Sequence, residues 1–553
     1  MLRVLTVLPA FLLAVLAEDV VVTTTLGQLR GSRVSTGPST YLDTFFGVPY
    51  AKPPVGALRL MPTQPAEPWQ GVLDATRYGP ACPQLADFDP MPTSEDCLSL
   101  SIFTPGETEL RTRSFRGPPR RSKHSAPGRG LPVMMYVHGG GFRTGSGALF
   151  NGTELAKRGV VVVAINYRLD ILGFLSTLDD SSPGNYGLLD MIQALKWIKA
   201  NIASFRGNPG EITLFGGSAG SLSISHLRIS PLAKGLFNKV IMESGFATCK
   251  WARKLPTDTP SPLTSAKRVA TRVGCPVDSG TAALVACIKS KPVDILLNAS
   301  AAFLEGPASS FIPVVETGFG VLPKNPEDLI REGAGSDIPS IRGSSRDEDA
   351  IDAAFQPLIS YSLSDAEAEI RTFASTYFKQ GLDNVTAILL SEYVTRLNPS
   401  TKEELYLDVV QMKTDLRFNY PMLYESQVNS NRMGSAPQYV YQFAYQSPNS
   451  RFPSWIGVPH GAEAPFVAGE PFNGLRNWTD TDKRVSATVM DMLSNFAKFG
   501  DPTPPLFTSV KWFLYNSVTQ LYLTIDSKPT LNSHLYQRRM DLVKSLYDQY
   551  GHY

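Results

Sequence analysis

The sequence predicts an α/β fold, a large and mostly parallel sheet with helices on both faces. Three observations carry the prediction. Within residues 131–245 short apolar runs alternate with amphipathic segments, the pattern of strands buried on both faces and linked by crossover helices. Inside residues 188–205, Leu188, Met191, Ile192, Leu195, Ile198 and Ile202 recur at steps of three and four, which puts one apolar stripe along a helix. No internal repeat and no linker rich in Pro, Gly or Ser interrupts residues 18–553, so they read as one large domain.

The apolar runs at 132–137, 160–166, 211–215 and 239–243 are the core strands in order, with the 188–205 helix crossing between the second and third. Composition agrees with a globular chain. Of 553 residues, 43% are apolar and 18% charged, which excludes a disordered or fibrous protein. The 52 basic and 50 acidic residues nearly cancel, so no global field draws the chain onto nucleic acid.

Residues 1–17 carry one charge, Arg3, then an apolar run and small residues Val15 and Ala17 before Glu18. This is the form of a secretory signal peptide, too short to span a bilayer. It predicts a secreted, extracellular protein without a transmembrane segment. Five cysteines are then read in an oxidising compartment: Cys82 lies near Cys97 and Cys275 near Cys287, leaving Cys249 as a buried odd thiol. Absence of a CxxC pair argues against a metal site. Sequons at Asn151, Asn298, Asn384 and Asn477 become glycosylation candidates. Residues 111–130 hold seven basic residues, Arg111 to Arg129, and no acid. They read as a solvated surface loop, with weak contact to an anionic surface as the second reading.

Gly216-Gly217-Ser218-Ala219-Gly220 is a G-x-S-x-G that follows a predicted strand and precedes a predicted helix. Glycines permit the tight turn that lifts a serine hydroxyl into the open at a helix N-terminus. His138-Gly139-Gly140-Gly141-Phe142 also follows a strand. Its bare backbone suits close approach to a tetrahedral oxyanion, with the N–H groups of Gly140, Gly141 and Ala219 as donors. A phosphate loop is excluded by the missing Gly-Lys-Ser/Thr ending. A serine nucleophile needs an imidazole base. His124 lies in the basic loop, His138 in the glycine motif, His226 down the same helix as Ser218, and His552 at the chain end. His534 sits in a stretch without turn glycines, whereas His460 stands in Gly457-Val458-Pro459-His460-Gly461. His460 is the base. The acid falls among Asp347, Glu348 and Asp349, which these arguments do not separate.

These motifs, with Phe46-Gly47-Val48-Pro49-Tyr50-Ala51, Ser94-Glu95-Asp96-Cys97-Leu98, Asn166-Tyr167-Arg168, Gly184-Asn185-Tyr186-Gly187 and Glu463 beyond His460, resemble the type-B carboxylesterases, which include cholinesterases and bile-salt-activated lipases. The resemblance covers nearly all of residues 18–553. It implies an α/β-hydrolase fold, a Ser218–His460–Glu348 triad, bridges Cys82–Cys97 and Cys275–Cys287, no cofactor, and a small-molecule or lipid ester as substrate. Departures stand at Gly217, Met191, Arg206 and Asp349, where the family usually has Glu, Gln, Gly and Gly. The expected function is hydrolysis of neutral short- to medium-chain carboxylic esters. The alternatives are a lipase-like acylglycerol or sterol-ester hydrolase and a non-catalytic adhesion protein, since family members that bind partners typically lack the nucleophile that this chain retains.

Overall fold

The four apolar runs form adjacent parallel strands at the centre of a 13-stranded sheet. The structure, a computed structural model, describes residues 18–37, 40–85, 91–106, 130–303, 311–354, 360–505 and 510–551. The expected signal peptide, nearly all of the basic loop, Phe88, His124 and His552 lie outside the described residues. In chain order the strands are β1 Glu18–Thr23, β2 Gln28–Gly37, β3 Thr40–Pro49, β4 Val72–Asp74, β5 Ser99–Pro105, β6 Leu131–Val137, β7 Val161–Ile165, β8 Gly207–Gly217, β9 Lys239–Glu243, β10 Ser340–Ser345, β11 Gln438–Phe443, β12 Leu521–Ile525 and β13 Thr530–Ser533. Across the sheet they run β1-β2-β3-β5-β7-β6-β8-β9-β10-β11-β12-β13, with β4 beside β2.

Strands β7 to β12 pair in parallel. The outer pairs β1/β2, β2/β3, β3/β5, β5/β7 and β12/β13 are antiparallel, so a mostly parallel centre carries antiparallel flanks. The difference is physical. β7 is buried at every residue, as a strand covered by helices on both faces must be, whereas β1 alternates exposed and half-buried residues.

The predicted crossover helix spans Tyr186–Asn201 and tightens into a 3-10 turn at Ile202–Phe205. All six residues of its stripe are buried. Its start is fixed by a buried ion pair: Arg168 Nε and Nη2 donate to Asp190 at 2.8 Å each, and the Arg168 backbone N–H adds a third bond at 2.9 Å. Burying these charges is tolerable because each is paired and hydrogen-bonded. At the unusual Arg206, φ is +66°, and the side chain offsets the strained backbone by donating to Pro105 O at 2.8 Å and pairing with buried Asp43 at 2.6 Å.

Candidate active site

Strands β8, β9 and β10 are neighbours, so their C-terminal ends deliver side chains to one edge of the sheet. Ser218 sits between the end of β8 and the helix Ala219–Ile229 with φ 58° and ψ −129°. A non-glycine residue there is strained by about 1–3 kcal/mol and persists because its surroundings fix it. Ser218 N–H donates to Glu243 O at 2.8 Å, and Leu222 N–H donates to Ser218 O at 2.9 Å. The glycines are needed for close approach. A Cβ on Gly220 would lie 2.0 Å from Val137 O, and one on Gly139 would lie 3.0 Å from the Ser218 Cβ. The 138–142 loop is therefore packed directly against the serine turn. Ala219, the first helical residue, has an N–H with no acceptor inside the helix.

His138 supports this loop from below. Its buried ring stacks on Tyr167 at 4.3 Å, and burial lowers its pKa to about 4. Nδ1 lies 2.8 Å from Gly139 O. A carbonyl oxygen accepts and does not donate, so Nδ1 carries the proton of the neutral ring.

His460 lies in the turn between β11 and the short helix Ala464–Val467. Its Nδ1 is 2.5 Å from Glu348 Oε2, and its backbone N–H donates to Glu348 O at 3.1 Å. The other carboxylate oxygen, Oε1, accepts Ser345 N–H at 2.6 Å. Burial opposes a charged imidazolium, yet the charge and hydrogen bond of Glu348, with Glu463 and Asp349 behind, outweigh it and raise the His460 pKa above its ordinary value.

The three adjacent carboxylates are all buried but face different partners. Asp347 Oδ2 accepts Val458 N–H at 2.8 Å and Oδ1 accepts Gln411 Nε2 at 2.7 Å, so Asp347 braces the turn that carries His460. Asp349 pairs with Arg417. Of the three, Glu348 is the one hydrogen-bonded to the imidazole.

Sequence reasoning named Glu463 only as part of the family resemblance and missed its partners in the layer behind the pair. Ser244 Oγ donates to Glu463 Oε1 at 3.2 Å, and Tyr441 OH donates to Oε2 at 3.0 Å. Burial and the charge of Glu348 push the Glu463 pKa up to about 7. Burial and Glu463 push Glu243 well above the carboxylate range. A Cβ on Gly217 would lie 3.7 Å from Glu243 Oε2. Thus a carboxyl group approaches from β9 the spot where the family's usual Glu is absent, and the substitution at Gly217 was the signal that pointed there. Trp251 and Phe418 flank the His460 ring, at 6.5 and 5.4 Å between centroids. Phe418 is placed by a π-helical turn, Asp415–Asn419, which no three-and-four periodicity reveals.

Cys82–Cys97 and Cys275–Cys287 are disulfide-bonded, and Cys249 is free and buried with Sγ against Arg417 O at 3.1 Å. His226 is buried in the helix after Ser218 and His534 is exposed in a turn beyond β13. The four sequon asparagines are exposed. Among the described residues no group of His, Cys, Asp and Glu side chains is placed to hold a metal, and no helix is long and apolar enough to cross a membrane.

Comparison with known proteins gives the same family from end to end. The Carboxylesterase family matches residues 18–543. Carboxylesterase 1D of Mus musculus is 36% identical over 87% of this chain and 86% of its own length. Liver carboxylesterase of Sus scrofa is 34% identical over 88% of this chain and 86% of its own. Neuroligin-3 of Mus musculus is 32% identical over 95% of this chain and 68% of its own. With a 13-stranded sheet carrying a strained serine turn and a half-buried His460 on buried Glu348 at one edge, and a family match spanning residues 18–543, the chain belongs to the carboxylesterase family and has its α/β-hydrolase fold.

Proposed function

We propose that the chain is a serine hydrolase of carboxylic esters. The observation that carries this reading is the Glu348–His460 hydrogen bond of 2.5 Å on the sheet edge where Ser218 is held in its strained turn. In the proposed cycle Ser218 Oγ attacks the ester carbonyl and His460 Nε2 takes its proton. Glu348 keeps the other ring proton on Nδ1 and stabilises the imidazolium. The N–H groups of Gly140, Gly141 and Ala219 receive the oxyanion. His460 then protonates the departing alcohol, and water repeats the sequence to release the acid.

Neutral short- to medium-chain esters are the proposed substrates. No tryptophan stands between Cys82 and Cys97 to face a quaternary ammonium group. Gly217 supplies no charge, and Glu243 behind it is held towards its neutral form. The signal-peptide-like N-terminus and the two disulfides support secretion, and exposure of Asn151, Asn298, Asn384 and Asn477 supports glycosylation there.

A binding role on the same fold is the second reading, favoured by the match to neuroligins. Esters of graded acyl length, assayed with the wild type and Ser218→Ala, separate the two. Hydrolysis that disappears with the hydroxyl supports the enzyme. Absence of hydrolysis across the whole panel supports the binding protein.

A further inference from the structure

Arg342 stands in β10, a strand with parallel neighbours on both sides and every residue buried. Strands so placed are apolar as a rule, which makes a fully buried guanidinium there unusual. Its Nη1 donates to Ser340 Oγ at 2.7 Å, two residues back on the same face, and to Gln438 Oε1 at 2.8 Å, opposite Ser340 on β11. Nε and Nη2 have no hydrogen-bond partner among the described residues.

A second guanidinium faces the same place. Arg228, in the last turn of the helix Ala219–Ile229, is 4% exposed. One buried carboxylate, Glu425 of the helix Tyr420–Ser430, lies between the two, 3.5 Å from Arg228 Nη1 and 3.8 Å from Arg342 Nε. Both gaps exceed the roughly 2.7–2.9 Å of a charge-assisted bond, and Glu425 Oε1 already accepts from the Thr248 N–H and hydroxyl at 3.1 and 3.2 Å. Asp337, which also attracts Arg228, is exposed. Burial and the charge of Arg228 lower the Arg342 pKa to about 9, so it stays charged at neutral pH. Two buried positive charges thus face one buried negative charge. One helical turn past Glu425, on the same face, Asn429 is 2% exposed and neither atom of its amide has a partner among the described residues.

We propose that Arg228, Arg342 and Asn429 form a buried site for a monovalent anion of halide size. The anion accepts from Arg342 Nη2 and Asn429 Nδ2, and its charge offsets the excess guanidinium. A water molecule would meet the donors and leave the charge, which is the costlier defect in the interior. Near-complete burial of all four side chains suits a single atom rather than an organic anion. None of them belongs to the proposed triad or its oxyanion donors, so halide binding does not depend on the catalytic reading.

The test is thermal unfolding of the full chain at fixed ionic strength, with chloride replacing methanesulfonate. The midpoint should rise by about 1–3 °C as chloride approaches about 0.1 M and then level off, as a single-site ligand of the folded state requires. Arg342→Met leaves Arg228 and Glu425 as a matched pair and should show no chloride dependence. Asn429→Asp brings its own negative charge and should lose the dependence too. Bromide-soaked crystals should give an anomalous peak within hydrogen-bonding reach of Arg342 Nη2. No saturable rise in the wild type, an equal rise in Arg342→Met, or bromide peaks at the surface alone overturns the proposal. If Arg342→Met does not fold, Asn429→Asp and the bromide map decide, and full chloride dependence in Asn429→Asp refutes the site.

Discussion

Replacing Glu348 by Gln removes one charge and keeps the shape. Ser345 N–H donates to Oε1 at 2.6 Å, so the glutamine oxygen takes that position and its NH₂ group faces His460 Nδ1. Two donors then oppose each other, and the imidazole is driven to place its proton on Nε2, where it cannot accept one from Ser218. The lost attraction for the imidazolium, taken over about 4 Å at an effective dielectric of about 20, is about 4 kcal/mol. That corresponds to about three powers of ten in rate. The assay is kcat and KM for a neutral chromogenic ester across pH. The base must be neutral, so activity falls as pH drops through the His460 pKa. Because that pKa is raised, the wild-type acid limb should lie above the ordinary imidazole value of about 6.5. Glu348→Gln should lower kcat about a thousandfold, leave KM nearly unchanged, and move the acid limb down. A loss below about tenfold with an unmoved limb would refute the assignment.

Asp347→Asn keeps an acceptor for Val458 N–H and should cost less than about tenfold in kcat. Asp349→Asn weakens the part-buried pair with Arg417 and should appear in thermal unfolding instead, at about 1–2 kcal/mol. Equal loss of kcat in these variants and in Glu348→Gln would indicate a collapsed turn rather than a specific acid. Replacing Cys82 and Cys97 together by Ser should destabilise the fold by about 3 kcal/mol on loop-closure grounds, their separation being 15 residues. Non-reducing peptide mapping should find Cys249 unbridged. An uncharged ester should show higher kcat/KM than an isosteric choline ester, with no jump in rate at emulsion formation because the Cys82–Cys97 loop is short for a lid; either a choline preference or a sharp jump counts against this substrate reading.

The glycine motifs were legible in the sequence because their function is steric. A backbone that must approach within contact of Val137 O or Ser218 Cβ tolerates no side chain, and this requirement is written as Gly at fixed offsets. His460 was legible by elimination. The acid was not, because Asp347, Glu348 and Asp349 are alike in sequence and are sorted by partners more than sixty residues away, Gln411 and Arg417 among them. It took the family resemblance to name Glu348. Periodicity read the parallel strands well, since burial on both faces leaves an apolar run. It missed β1, whose three consecutive valines alternate only in exposure, and the π-helical turns at Ser391–Thr395 and Asp415–Asn419, whose inserted residues break the helical repeat. Glu243 escaped notice because a buried acid looks like any surface acid until its strand is placed in the sheet, and Glu463 stood in the family resemblance without a role.

Covalent labelling with a fluorophosphonate tests the central claim most directly, because it requires an activated serine but no knowledge of the natural ester. The account predicts stoichiometric modification of the wild type mapped to Ser218, none in Ser218→Ala, and labelling slowed by orders of magnitude in His460→Ala. Wild-type protein that folds, forms its two disulfides and yet leaves Ser218 unlabelled would contradict the account and make the chain a binding protein on a hydrolase fold.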